Sequence, residues 1–221
     1  MEFVLNSFLY LHIAAGVLTL LLGPVAIYTN ESNLRMHRPA GRVFFYAMLV
    51  VCVSAAFGFF RRPDLVFYQF LLGIAVFVWA GVMRGFRALQ FMKKGPVLPL
   101  DYVYTALLGF AGLAMVLRAG WMFARGGDPA LPILFGVFGM ASLWNASRNL
   151  WYFNHAGEVQ RLEWLALHVS SMIGAFIAST TAFAVNAAPF LPWYLQWFGP
   201  TVLLVPVQVY FGRRLRARVS A

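Results

Sequence analysis

Histidines are the residues of this chain that could do the most distinctive chemistry, because an imidazole can ligate haem iron or a transition metal. The sequence has four of them. His168 and Met172 are four residues apart, so on a helix both side chains would lie on one face and could ligate one ion. With His12, His37 and His155 they form the candidate cofactor-binding residues. The cofactor that these residue types predict is haem or a transition metal.

Arginine and asparagine side chains form a second candidate site. Asn145, Arg148 and Asn149 fall at positions i, i+3 and i+4, which on a helix makes a single polar face. A guanidinium binds carboxylate or phosphate through two parallel hydrogen bonds, so this face predicts an anionic ligand or a lipid headgroup. An arginine at a helix end can instead simply extend to the headgroups. The candidate ligand-binding residues are Arg38, Arg42, Asn145, Arg148, Asn149, Asn30 and Asn186.

Motifs of metal-dependent and thiol enzymes do not occur in the sequence. There is no HExxH motif and no Glu-x-x-His pair, and the lone Cys52 excludes an intrachain disulfide and a CxxC site. Asp101 and Glu163 each stand where a hydrophobic segment begins. A carboxylate is favourable at a helix N-terminus, so we interpret both as helix caps. The sequence therefore leaves enzymatic activity undecided.

Membrane helices must position these side chains. Of the 221 residues, 62% are hydrophobic and 11% charged, and the mean hydropathy is +0.74, whereas soluble domains average about 25% charged residues. A bilayer span needs about 20 mostly apolar residues. Seven such runs predict an all-α, polytopic membrane bundle with seven transmembrane helices, forming a single domain over residues 1–221. The predicted spans lie near 7–28, 42–60, 65–86, 100–123, 130–150, 164–186 and 190–211.

The basic residues predict how this bundle is oriented. Seven spans place the termini on opposite sides, and 13 of the 17 Lys and Arg residues then share the side of the C-terminus, all except Arg61, Arg62, Arg118 and Arg125. Cytoplasmic segments carry such an excess. The N-terminus would thus lie outside and the C-terminus in the cytoplasm, in a bacterial inner membrane. Contact with anionic lipid headgroups on the cytoplasmic side accounts for the net charge of +10, and nucleic-acid binding is not expected.

Two spans carry matching stripes of small and polar residues. At about 100° per residue, each stripe follows one helix face from a histidine to an asparagine 18 residues later. Because the two spans run in opposite directions, packed stripes would pair His12 with Asn186 and Asn30 with His168. The alternative is that small residues only allow close packing. The stripes are His12, Ala15, Gly16, Thr19, Gly23, Ala26 and Asn30, and His168, Ser171, Met172, Ala175, Ser179, Ala182 and Asn186.

The positions of the histidines limit the haem hypothesis. Pro39 predicts a turned loop around His37. With the predicted topology, His37, His155 and His168 all lie near the cytoplasmic rim. His12 lies near the outer rim, about 27 Å from His168 along the membrane normal at ~1.5 Å per residue. One iron therefore cannot bind both, unless one span fails to cross the membrane and the two histidines come together.

Three segments of the chain carry a distinctive combination of residues. They are Leu11 and His12 with Gly16, then His37 and Arg38 with Gly41 and Arg42, then His168 with Met172, Ile177, Ala178, Thr181, Ala182, Phe183 and Asn186. In this combination the chain resembles an uncharacterised family of bacterial predicted membrane proteins, whose segments read LHxxxG, HRxxGR and HxxxM followed by IAxxTAF and N. The resemblance implies a multi-helix inner-membrane protein. It brings no substrate, cofactor or reaction with it.

Three functions are compatible with these residues. The first is a membrane protein that binds haem or a metal ion through histidines at the helix ends. The second is a transporter, or a small-molecule or lipid-binding protein, with a polar pocket between spans 1, 5 and 6. The third is a structural or assembly subunit of a membrane complex.

Overall fold

Seven α-helices make up the described part of the chain. The computed structural model describes residues 2–217, in which no β-strand occurs. Short connections join successive helices, so neighbours in the sequence form antiparallel pairs. The all-helical prediction is confirmed. The helices are α1 (Glu2–Ser32), α2 (Leu34–Arg61), α3 (Val66–Phe91), α4 (Pro99–Arg125), α5 (Ala130–Asn154), α6 (Arg161–Ala187) and α7 (Trp193–Ala217).

Six of these helices, α1 to α6, are long and apolar enough to cross a membrane, judged over the described residues. The helix α7 is not among the six. It contains Gln208 and two internal prolines, Pro200 and Pro206. Arg218, one of the basic residues behind the predicted orientation, lies outside the described residues, and the side chain of Arg216 is likewise not described.

The loop predicted around Pro39 is instead the first part of α2. Asn33 caps this helix, because its Oδ1 accepts a hydrogen bond from the backbone N–H of Met36 at 3.2 Å. Proline lacks the N–H that would bond the carbonyl one turn earlier, but the residues of this turn are mostly exposed, so water can satisfy that carbonyl. His37 therefore lies on a helix, and its Nδ1 is 2.9 Å from the carbonyl oxygen of Ala26 on α1.

The helices α3 and α6 form the centre of the bundle. α3 packs against α2, α4, α5 and α6, while α6 also packs against α1 and α7. In α6, 50% of the most apolar segment is buried, against 17% in α1, so α6 is enclosed by protein and α1 lies at the periphery. Side chains between α3 and α6 are thus shielded from lipid.

The helices α4 and α5 approach each other through two glycines. A Cβ atom on Gly112 would lie 2.9 Å from the carbonyl oxygen of Gly139, and a Cβ on Gly139 would lie 2.9 Å from the carbonyl oxygen of Gly112. These obstacles are backbone atoms, which cannot move aside without shifting a helix. The close crossing therefore depends on the missing side chains, and it fixes α5 beside α4.

Gly112→Ala is expected to destabilise the protein by about 1–3 kcal/mol, because the new methyl group would overlap the backbone of α5. Gly120→Ala on the same helix is the matched control, since a Cβ there meets no atom within 4 Å. The control should be neutral or stabilising by up to about 1 kcal/mol. Thermal unfolding in detergent, followed by circular dichroism, measures both variants. Equal midpoints for the two would contradict a tight crossing.

Candidate functional site

A cavity of about 160 Å³ lies among α3, α5, α6 and α7, and Leu108 of α4 also lines it. Gly81 on α3 and Gly174 on α6 border this space, and a Cβ at either position would meet no atom within 4 Å. The cavity exists partly because these two residues lack side chains. Mostly apolar walls with a few polar groups are typical of small-molecule sites. The polar lining consists of Arg84, Asn145, Asn149, Ser170, Ser171 and Gln208.

Arg84 brings a positive charge to the cavity wall. Its Nε donates a hydrogen bond to Ser171 Oγ on α6 at 3.0 Å, and its Nη1 donates to Asn145 Oδ1 on α5. The residue lies seven positions before the end of α3, about 10 Å inside the helix end. Both hydrogen-bond partners are uncharged, and no carboxylate among the described side chains forms an ion pair with Arg84.

Arg87, one turn further along α3, does have a counter-ion. Its Nε and Nη2 each donate to a carboxylate oxygen of Asp101 on α4 at 2.7 Å. Arg87 is 3% exposed and Asp101 is fully buried at 0%. The same carboxylate accepts a hydrogen bond from the backbone N–H of Leu98 at 2.8 Å, which confirms the predicted cap of α4. Glu163 likewise lies in the first turn of α6.

Asn145 and Asn149 both line the cavity from α5, one helical turn apart. Nδ2 of Asn149 donates to Thr105 Oγ1 on α4 at 3.2 Å. Its Oδ1 is buried and has no hydrogen-bond partner among the described residues. Buried acceptors without a partner are uncommon in proteins. The predicted polar face of α5 therefore supplies one asparagine that binds Arg84 and a second whose hydrogen bonding is incomplete.

The other arginines of the predicted ligand site lie outside the cavity. Arg38, Arg42 and Arg148 are exposed. Arg148 donates from Nη2 to the hydroxyl of Tyr152 at 3.2 Å, and its guanidinium lies 5.7 Å from the centre of that ring. Arg148 nevertheless interacts electrostatically with Arg84, so it adds positive potential beside the cavity. The cavity shares α5 and α6 with the pocket predicted between spans 1, 5 and 6, but among the described residues α3 and α7 line it in place of α1.

His168 and His37 lie near each other at one end of the bundle, where they interact electrostatically. Nδ1 of His168 is 2.8 Å from the carbonyl oxygen of Gly85 on α3. Met172 packs among buried apolar residues of α2 and α3, with its methyl group close to Gly85. The side chain predicted as a second ligand beside His168 therefore packs against the hydrophobic core.

His155 and His12 lie apart from this pair. Nδ1 of His155 is 2.8 Å from the carbonyl oxygen of Trp151, and its ring stacks on that indole. Nδ1 of His12 is 2.8 Å from Ser54 Oγ on α2. In the part of the chain that the structure describes, no three His, Cys, Asp or Glu side chains are grouped so that they could hold a metal ion. Haem or metal binding by the histidines stays a prediction.

The two predicted stripes do pack against each other in their middle. The hydroxyl oxygens of Thr19 on α1 and Ser179 on α6 lie 2.5 Å apart. A Cβ on Gly23 would overlap the ring of Phe176, so this glycine allows the ring to pack directly on α1. Thr19 and Ser179 are thus in contact as predicted, whereas Gly23 contacts Phe176, which lies outside the predicted stripe of α6.

The predicted pairing of the polar ends of the stripes is wrong. Asn30 and Asn186 each donate a hydrogen bond at 2.8 Å to a carbonyl of their own helix. His12 binds α2 and His168 binds α3 instead. The physical reason is that α1 packs mainly on α2, and α6 packs closely on α3. These neighbours bring acceptors nearer to the histidines than the opposite stripe does.

Arg84 and Gln208 are site residues that the sequence does not single out. Both lie inside predicted spans, and polar side chains within a span often mark functional sites. Arg84 stands two residues before the end of the predicted span 65–86, so the sequence predicts an arginine at the membrane surface. The helix instead continues to Phe91, which places Arg84 further inside the bundle. Gln208 donates from Nε2 to the carbonyl oxygen of Ser170 at 2.7 Å and so links α7 to the cavity wall.

The first three helices, which supply Arg84, also resemble known sequences. Residues 9–94 match the family described as Predicted membrane protein (DUF2306). No curated protein and no solved structure gives a match. The six apolar helices and the match over residues 9–94 both support a membrane protein with several spans. The DUF2306 segment contains Arg84, Arg87, His12 and His37, and it ends before the helices that supply Asn149.

Asp101→Asn is expected to destabilise the protein by about 3–5 kcal/mol, because it leaves the buried charge of Arg87 without a counter-ion. Asp64→Asn is the matched control, since Asp64 is exposed, and it should change stability by less than about 0.5 kcal/mol. Combining Arg87→Met with Asp101→Leu should recover most of the loss. Unfolding midpoints in detergent test all three, and a mild effect of Asp101→Asn alone would contradict the role of the ion pair.

Proposed function

We propose that this chain is a membrane protein that binds a small anionic molecule in the cavity between α3, α5, α6 and α7. The observation that carries the proposal is Arg84, whose guanidinium borders the cavity and has only uncharged partners among the described side chains. Ionisable residues inside a membrane bundle are costly, and they commonly mark the path or site of a charged ligand.

The hydrogen bonds of Arg84 leave room for such a ligand. A guanidinium has five N–H groups, and the two bonds to Ser171 and Asn145 use two of them. The remaining donors can bind an oxyanion in the bidentate manner that arginine favours. Arg87, which sits one turn away, already has Asp101. Arg87 therefore has a counter-ion within the chain, whereas Arg84 has none among the described side chains and is available to an anion from outside.

The dimensions and charge of the cavity support a compact ligand. Its volume of about 160 Å³ is close to that of an engineered cavity that admits benzene, at roughly 150 Å³. A molecule with about six heavy atoms would fill it. Arg148 raises the positive potential beside the cavity, which favours the approach of anions.

A seventh span is part of the same proposal. The helix α7 has 25 residues, which gives a length of about 37 Å, enough to cross a bilayer. It packs along α6, and Gln208 fixes it to the cavity wall. With seven spans, the excess of basic residues supports a cytoplasmic C-terminus, contact with anionic headgroups on that side, and a bacterial inner membrane.

Arg84→Gln is expected to abolish the stabilisation of the purified protein by small oxyanions, because the variant keeps a hydrogen-bonding side chain but loses the charge. Acetate, lactate, phosphate and sulfate are the probes. At 100 times its dissociation constant, a bound anion stabilises the wild-type protein by about 2.7 kcal/mol. The unfolding midpoint as a function of anion concentration is the measurement. Without anions, Arg84→Gln should be as stable as wild type or more so, because the unpaired charge is gone.

Arg125→Gln is the matched control for this experiment. Arg125 is exposed at the far end of α4, so the same loss of charge there should leave the anion response unchanged. Arg84→Lys should retain part of the response, since it keeps the charge without the planar fork. A wild-type protein that shows no anion response, or an equal response in Arg84→Gln, would contradict the proposed site.

Labelling of introduced cysteines tests the seventh span. Asp128→Cys lies between α4 and α5, and Ala217→Cys ends α7; the native Cys52 is buried. A membrane-impermeant maleimide should label position 128 in intact spheroplasts and position 217 only after lysis, because seven spans put these sites on opposite sides. Labelling of both sites before lysis would mean that α7 does not cross.

A further inference from the structure

We infer that the ligand of this cavity is a small oxyanion that also carries a hydrogen-bond donor, an O–H or N–H group close to its negative charge. This inference rests on the proposed anion site at Arg84 and specifies its ligand. It is based on Asn149, a second polar residue that lines the cavity and forms no hydrogen bond with Arg84.

Asn149 has an unused acceptor in a buried position. The residue is 1% exposed, its Nδ2 donates to Thr105 Oγ1 at 3.2 Å, and its Oδ1 has no partner among the described residues. A carbonyl oxygen can only accept hydrogen bonds, so it requires a donor. An anion with acceptor oxygens alone would leave this requirement unmet and would place like partial charges together. This oxygen is enclosed by protein atoms, so a ligand with an O–H or N–H group would satisfy it once the Asn149 amide turns towards the cavity.

The spacing of the two asparagines defines where the two ends of the ligand lie. Asn145 binds the guanidinium of Arg84, and Asn149 is one turn, about 6 Å, further along α5. A molecule that reaches both Arg84 and Asn149 must therefore carry its donor within a few bonds of its anionic group. Hydroxycarboxylates, amino acids, hydrogen phosphate and a lipid headgroup with free hydroxyls share this chemistry.

Matched pairs of anions test the inference. At about pH 8, hydrogen phosphate keeps one proton while sulfate has the same charge and no donor. Lactate and propionate differ only in one hydroxyl. Isothermal titration of the purified protein in phosphatidylcholine nanodiscs should show the donor-bearing member of each pair binding about tenfold more tightly or better, because its partner leaves Asn149 unsatisfied. Nanodiscs that also contain phosphatidylglycerol distinguish the sources: they should compete with the free anions only if a lipid headgroup occupies the cavity.

Asn149→Leu is the variant that isolates the acceptor. It should keep anion binding through Arg84 but bind the two members of each pair equally. Asn154→Leu makes the same change at an exposed position of α5 and should retain the wild-type preference. If Asn149→Leu does not fold, the preference of the wild-type protein still decides the matter.

The outcomes separate the inference from the proposed function. Equal binding within both pairs, or tighter binding of sulfate and propionate, would overturn the requirement for a donor and leave the anion site intact. Binding of phosphatidylglycerol alone would support the inference with a lipid as the source. No anion binding of any kind, with Arg84→Gln behaving as wild type, would overturn both.

Discussion

A guanidinium that a bundle of apolar helices takes out of bulk water loses much of its hydration, so the protein must offer it polar or anionic partners or accept a large energetic cost. The helix α3 meets this constraint twice within one turn. Arg87 receives the carboxylate of Asp101, which is buried with it. Arg84 receives only a hydroxyl and an amide. Each of the helices α4, α5 and α6 contributes one of these partners, so the two arginines link α3 to all three neighbours.

The close helix contacts and the cavity draw on the same helices. The tight crossing of α4 and α5 through Gly112 and Gly139, together with the Arg87 ion pair, fixes the positions of the backbones. The cavity lies among α3, α5, α6 and α7, and Leu108 of α4 also lines it. The rigid crossing can thus hold Asn145 and Asn149 in place while the space beside them stays open. A cavity lined by an unpaired charge costs stability, and the close packing elsewhere offsets that cost.

The number and approximate positions of the helices could be predicted because a bilayer imposes a minimum length of apolar sequence. The ends of the helices could not be predicted, since backbone hydrogen bonds continue past the apolar run. The helix α2 begins before Pro39, and α3 continues beyond its predicted end. The i, i+4 spacing identified Asn145 and Asn149 on one face. Arg84 was not predicted as a site residue, because the predicted span ended at residue 86 and α3 continues to Phe91. The partners of His12 and His168 depend on which helices are neighbours, and hydropathy carries no information about that.

The two glycines that border the cavity, Gly81 and Gly174, give the site an adjustable size. A methyl group at either position would meet no protein atom within 4 Å, so alanine could replace either glycine without disturbing the helix contacts. Related sequences could then differ in the ligands they admit through changes at these positions alone, while the charge at Arg84 stays the same. Selectivity for ligand size would then depend on Gly81 and Gly174, and selectivity for ligand charge on Arg84, so each could change without the other.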